Sequence, residues 1–260
     1  MSPSDVEVAE AAARAAGEVL LALRNRGDLT GRPLGDAGDA AAQRAIADVL
    51  HAQRPDDIVF SEEAVDDPRR LQADRVWIVD PLDGTREYGE PGRHDWAVHV
   101  ALWTAGELGA SAVALPALDQ VLLTDPASVL PLRAEGAVRI AVSRTRPPAE
   151  ASAVAAGLDA ELVPLGSAGY KTVAVARGEV DAYVHSGGQY QWDSAAPVAI
   201  ARAAGLVTCR LDGSPLVYNA PDPYLPDLVV CRPELADRIL DAVRPRTTTE
   251  TSPEMTESIA

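Results

Sequence analysis

Three short segments of the chain place acids where strands end or helices begin. The apolar run 76–79 leads into Asp80-Pro81-Leu82-Asp83-Gly84-Thr85. A buried strand would deliver Asp80 at its carboxyl end, and Pro81 and Gly84 force a turn that returns Asp83 beside it. Two carboxylates held close at neutral pH repel, so such a pair needs a cation or a shared proton. The same string is also good turn chemistry capping a helix, and alone it leaves the two readings even. Upstream, the run 58–60 ends in Ser61-Glu62-Glu63. Glu62 would meet Asp80 if the two strand ends are adjacent, although solvated glutamates leaving a strand are the commoner case. Downstream, Gln191-Trp192-Asp193-Ser194-Ala195-Ala196-Pro197 opens a helix, with Asp193 expected as its N-cap and Pro197 in its first turn. Capping explains Asp193 by itself but not why such acids recur in three separate segments.

Glu62, Asp80, Asp83 and Asp193, with the Leu82 carbonyl, make an oxygen-only ligand set. Hard oxygen donors select magnesium or manganese over zinc. The histidines, His51, His94, His99 and His185, have no i,i+4 pairing and read as ordinary surface or core residues. Two ions roughly 3.5–4 Å apart, bridged by a shared carboxylate, would serve in-line phosphoryl displacement. A further segment, Gly166-Ser167-Ala168-Gly169-Tyr170-Lys171, follows a strand-like run and enters a helix, where backbone amides and the helix dipole favour an anion. A Gly/Ser turn with a surface lysine is the plainer alternative. Of the 23 basic residues, however, Lys171 alone is lysine.

These residues need elements to hold them. Ser4 and Glu7 have capping-box spacing, and apolar residues from Val6 to Leu23 recur at steps of three and four, predicting a helix that ends near Gly27. A Gly/Pro/Asp loop is expected over 27–38 and a second helix over 39–53, stopped by Pro55. Short apolar runs at 58–60 and 76–79 suit buried strands, and 95–103, 110–115 and 120–124 are spaced as an antiparallel meander. Beyond residue 136 strands (138–142, 161–165, 180–184, 227–231) alternate with helices (147–157, 167–177, 193–204, 233–243), predicting a second sheet covered by helices. The division expected is an N-terminal α+β half over 1–136 with most of the acids, a C-terminal α/β half over 137–244 with Asp193, and a disordered tail over 245–260.

The chain has 260 residues and a formal charge of −16, from 39 acids against 23 bases. That excludes binding of nucleic-acid backbones through bulk charge, while leaving room for one small anionic ligand. Hydrophobic residues make up 47% and charged residues 24%, an ordinary globular composition. Two cysteines, Cys209 and Cys231, lack the spacing of a zinc site or disulfide framework. No leader or membrane-span pattern is evident, so a cytoplasmic protein with no membrane partner is expected.

The combination S-E-E at 61–63, W-I-V-D-P-L-D-G-T-R-E-Y at 77–88 and W-D-S-A-A-P at 192–197 resembles the lithium-sensitive, magnesium-dependent phosphomonoesterases related to inositol monophosphatase. R-E-Y, V-S-R at 142–144 and G-S-A-G-Y-K at 166–171 look most like the CysQ branch, and D-W-A-V-H at 95–99 like its actinobacterial type. The resemblance implies the layered αβαβα sandwich shared by inositol monophosphatase and fructose-1,6-bisphosphatase, an α+β fold with the metals in the cleft between its halves. It implies hydrolysis of the 3′-phosphate of adenosine 3′,5′-bisphosphate, and of 3′-phosphoadenylyl sulfate as a further substrate, in sulfur assimilation, without a covalent intermediate. Two or three Mg2+ ions, with Mn2+ as a substitute, would be held by Glu62, Asp80 and the Leu82 carbonyl on one side and by Asp80, Asp83 and Asp193 on the other.

By the same resemblance, Thr85 oriented by Asp39 would activate the water, and Gly84 and Thr85 would meet the phosphate. Glu62, Leu82, Asp83 and Asp193 would also border the substrate. Gly166, Ser167 and Lys171 would bind a phosphate group, with Ser143 and Arg144 as weaker candidates for the second one. A homodimer is left open. Three positions depart from the pattern: the loop before Asp39 lacks a threonine and a lysine, so Asp36 competes with Asp39 as partner of Thr85; Tyr88 replaces phenylalanine; and Gln191 replaces a glutamate, with substrate hydroxyl contacts at stake. Inositol monophosphatase or fructose-1,6-bisphosphatase activity is the alternative within the enzyme class. A catalytically silent nucleotide or metal sensor, supported only by the unusual loop before Asp39, is the alternative outside it.

Overall fold

The computed structural model describes residues 2–244, and the tail expected over 245–260 lies outside the described residues. Helix α1 (Asp5–Arg26) starts with the expected capping box: Glu7 N–H donates to Ser4 Oγ at 3.3 Å and Ser4 N–H to Glu7 Oε2 at 2.7 Å. It ends in left-handed Gly27. Helix α2 runs over Gly31–Gln53, so most of the expected loop is helix. Its glycines were misleading because they serve close packing: a Cβ on Gly38 would stand 2.8 Å from the Tyr88 ring. Pro33 fits because it sits in the first turn, where no intrahelical N–H is required.

Strands β1 (Ile58–Ser61), β2 (Arg75–Asp83), β3 (Ala97–Thr104), β4 (Glu107–Leu115) and β5 (Gln120–Leu123) form one sheet in chain order, interrupted by the short helix α3 (Thr85–Gly89). β1 pairs parallel to β2, β3 to β5 make the predicted meander, and β2 extends it antiparallel to β3. The second sheet contains β6 (Arg139–Ser143), β7 (Glu161–Leu165), β8 (Ala182–Tyr190), β9 (Val207–Cys209) and β10 (Tyr224–Cys231), in the order β7-β6-β8-β10-β9. Helices α4 (Ala149–Leu158), α5 (Ala168–Ala176), α6 (Gln191–Ala203) and α7 (Ala236–Val243) alternate with these strands. The alternation is as expected, with β9 added; it is too short to stand out as an apolar run.

Three cores define the layers. Val79 and Trp77 of β2 pack with α1 and α2, whereas Val76 and Ile78 face the opposite way into a core shared with α5, α6 and one face of the second sheet. Val142, Val184 and Val229 fill the third core, beneath α4 and α7. The order is therefore helix, sheet, helix, sheet, helix. Both faces of each sheet are covered, which is why the strands read as continuous apolar runs rather than alternating ones.

Candidate active site

β1 and β2 lie side by side in parallel register, Ser61 opposite Val79, so both strands end at the same edge and bring Glu62 to Asp80. Asp193 reaches the same place from the first turn of α6. Carboxylate oxygens of Glu62, Asp80 and Asp193 all lie within 4.8 Å of one another. Asp193 is not the N-cap expected from the sequence. It is the third helical residue, and its Oδ2 accepts from Tyr190 N–H at 2.7 Å, reaching back over the helix start.

Asp80 is 1% exposed. Its Oδ1 accepts from Leu82 N–H at 3.0 Å, and its Oδ2 has no hydrogen-bond partner among the described residues. Burial, followed by the charges of Asp83, Glu62 and Asp193, lifts its pKa well above the usual carboxylate range. Glu62 stands at the open side of the cluster with its carboxyl turned among the other acids. Loss of water, then neighbouring charge, pushes Glu62 up to about 7 and Asp193 up to about 8. A buried acid with an unpartnered oxygen, facing two more acids that resist ionisation, is an all-oxygen donor set short of positive charge, which suits a hard divalent cation.

Asp83 is within the acid group but turned toward α5. Its Oδ2 accepts from the Ser167 hydroxyl and from Gly169 N–H at 2.5 Å, and its Oδ1 from Ala168 N–H at 3.2 Å. Gly166 N–H donates to Asp95 Oδ2 at 2.6 Å. The amides expected to meet a ligand anion at Gly166–Lys171 therefore already hold two carboxylates of the protein itself. Lys171 is buried, not a surface residue. Its Nζ donates to the carbonyls of Ser167 at 2.6 Å and Gly166 at 3.2 Å, and burial brings its pKa down to about 8 against the pull of Asp83 and other acids.

Asp39 lies within the body of α2 rather than at its start. Gly35, one turn earlier on the same face, would place a Cβ 2.5 Å from Thr85 Cγ2, so only glycine there lets Thr85 approach the helix. The Thr85 hydroxyl donates to the Leu82 carbonyl at 3.1 Å and also contacts the Asp39 carboxyl. Burial, then Glu63 and Asp36, raise Asp39 to about 7. The Asp36 side chain is 66% exposed and faces Arg32 at 3.8 Å, so Asp39 is the residue placed against Thr85. Tyr88 spends its extra hydroxyl on the Leu20 carbonyl at 2.7 Å, tying α3 to α1.

A cavity of about 620 Å³ opens beside the acids. Asp83, Gly84, Thr85, Ser143, Arg144, Gly166, Ser167, Lys171 and Asp193 all border it. Arg144 donates to Glu87 Oε1 at 2.6 Å and Glu90 Oε1 at 2.7 Å, bracing α3 against β6 at the rim. Gln191 does not border the cavity. It is fully buried, and its Nε2 donates to the Asp222 carbonyl at 2.8 Å, a bond that a glutamate could not make.

His99 was missed as a neighbour of the acids. It pairs across strands with Asp80, is fully buried, and places Nε2 3.5 Å from Asp83 Oδ2 and Nδ1 3.2 Å from the Trp192 carbonyl. Period-two alternation in β3 could have located it, because His99 shares the face of Ala97 and Ala101. Gly169 answers its ring: a Cβ there would fall 1.9 Å from Nε2. Glu87, marked in the sequence only as part of R-E-Y, also borders the cavity, as do Arg146, Tyr183, His185 and Gln189, which carried no signal.

Residues 3–247 match the inositol monophosphatase family. The chain is 52% identical over 218 residues to the 3′-phosphoadenosine 5′-phosphate phosphatase of Mycobacterium tuberculosis, covering 81% of this chain and 82% of that one. It is 50% identical over 254 residues to the protein of that name from Mycobacterium leprae, covering 93% and 94%. Its fold overlays the crystal structure of CysQ from Bacteroides thetaiotaomicron with a TM-score of 0.75 at 26% identity, covering 87% of this chain and 96% of that one. With the helix–sheet–helix–sheet–helix layering and the acids gathered at the ends of β1, β2 and the start of α6, these matches place the chain in the inositol monophosphatase family.

Proposed function

We propose that this protein is a magnesium-dependent 3′(2′),5′-bisphosphate nucleotidase that removes the 3′-phosphate of adenosine 3′,5′-bisphosphate, a reaction that belongs with sulfur assimilation. The observation that carries this reading is the convergence of Glu62, Asp80 and Asp193 beside a cavity large enough for a nucleotide, in a chain half-identical to proteins named 3′-phosphoadenosine 5′-phosphate phosphatase. Enzymes of this family depend on metal, and the acid cluster here fits one. Glu62, Asp80, Asp193 and the Leu82 carbonyl would hold Mg2+, joined by Asp83 if its carboxylate turns from α5. Bound there, Mg2+ would neutralise the phosphate and lower the pKa of water.

The rest is work for the protein's own groups. With its hydroxyl turned from the Leu82 carbonyl to Asp39, Thr85 Oγ1 takes a proton from the attacking water and passes its own to Asp39, whose pKa of about 7 suits it to accept one near neutrality. Gly84 and Thr85, at the start of α3, border the cavity, and their amides would orient the phosphate. Lys171 and Arg146 at the cavity supply positive charge to a site that the overall charge of −16 would otherwise close to an anion. Cys209 and Cys231 are both buried and unpaired, consistent with the cytoplasm. Identification of the products tests the reading: adenosine 5′-monophosphate and phosphate should appear with Mg2+ and not with chelator, whereas release of the 5′-phosphate would overturn it.

A further inference from the structure

Gln189 is 6% exposed and borders the cavity, yet among the described residues neither its Nε2 nor its Oε1 has a hydrogen-bond partner. A buried carboxamide with an idle donor and an idle acceptor is costly unless something fills both. The local backbone is built to place it there. β8 pairs with β10 so that Tyr183, His185 and Gln189 lie opposite Val230, Leu228 and Leu225, residues of the core between the sheets. Between Ser186 and Gln189 the register slips by one, through Gly187 and Gly188 at φ 94° and 90°. That extra residue puts Gln189, rather than Gly188, opposite Leu225. Gly188 is required as glycine: a Cβ would stand 2.4 Å from Tyr224 Oη. Its carbonyl accepts from His185 Nε2 at 3.0 Å, pinning that ring on the same wall.

We propose that Gln189 binds the edge of the substrate's nucleobase. The inference rests on the nucleotidase reading above and extends it to the choice of base. A phosphate offers acceptors only and would leave Oε1 unpaired, whereas adenine presents an amino donor beside a ring-nitrogen acceptor, the pattern a carboxamide matches with two bonds. Gln189 and Asp193 border the same cavity of about 620 Å³, so one ligand can meet the carboxamide and the acid cluster together. The carboxamide and the acid cluster thus mark two ends of one ligand.

The test compares wild type with Gln189→Leu, which keeps volume and removes both polar atoms, on adenosine 3′,5′-bisphosphate and on the base-free 1-deoxyribose 3,5-bisphosphate. The variant is expected to lose about ten- to a hundred-fold in kcat/KM on the nucleotide, mostly through KM, and far less on the base-free analogue. Hydrolysis of the analogue also reports whether the variant is folded. Equal losses on both substrates, or no loss on the nucleotide, would overturn the base contact while leaving the phosphatase reading standing. A wild-type protein inert toward both substrates would overturn the phosphatase reading and the base contact with it.

Discussion

Asp83, at the end of β2, caps helix α5: Ser167 donates its hydroxyl to Asp83 Oδ2, and Gly169 N–H joins it at 2.5 Å. One carboxylate thus joins the sheet that carries Glu62 and Asp80 to a helix of the middle layer. It is at once a candidate metal ligand and a structural cap, and the two duties draw it in different directions.

Asp83→Ala should therefore lower stability as well as activity. Loss of a cap of this kind costs about 1–2 kcal/mol, to be read from urea unfolding of the metal-free protein. Unchanged stability would show that the cap contributes nothing, and that Asp83 is free to serve the metal alone.

The raised acids give metal-free protein an unusual pH profile. Glu62 and Asp39 at about 7 and Asp193 at about 8 bind protons more tightly folded than unfolded. Between roughly pH 4 and 8 the native state holds more protons, so these groups lower unfolding free energy as pH rises through that window. Mg2+ must displace those protons, and its effect on Tm should be larger at pH 8 than at pH 6. Calorimetry at both pH values with and without Mg2+ decides this; an equal Mg2+ effect at the two would contradict it.

Asp39→Asn should reduce kcat by about 10²–10⁴-fold, the range for a general base. Its Mg2+ affinity should stay near that of wild type, because Asp39 contacts Thr85 and is not one of the clustered oxygens. Asp36→Asn, altering an exposed side chain, should leave kcat near wild type. A larger loss in the Asp36 variant would transfer the role to it.

Lys171 borders the cavity together with Asp83 and Asp193, and its charge pulls the Asp193 pKa down. Lys171→Met should move the pH midpoint of Mg2+ binding upward, as titration calorimetry across pH would report. An unmoved midpoint with only a higher KM would make Lys171 a substrate contact and nothing more.

Much of the fold was legible because buried strands and amphipathic helices leave periodic marks: the meander, the alternating second half and the capping box at Ser4 all appear in place. The start of α2 was not, because Gly31, Gly35 and Gly38 look like loop residues until the contact with Thr85 and Tyr88 is seen. The meeting of Glu62, Asp80 and Asp193 was legible from their positions at element ends. The commitment of the α5 amides to Asp83 and Asp95 was not, since which anion a helix terminus meets depends on distant segments. Gln189 and His99 were equally hidden, because a carboxamide or an imidazole on a buried strand becomes meaningful only with its neighbours in view.

The most direct test is kcat/KM with Mg2+ for adenosine 3′,5′-bisphosphate, inositol 1-phosphate and fructose 1,6-bisphosphate under one set of conditions. The nucleotide should be preferred over both, with all turnover lost on chelation. Preference for either sugar-type substrate, or turnover that survives chelation, would contradict the account.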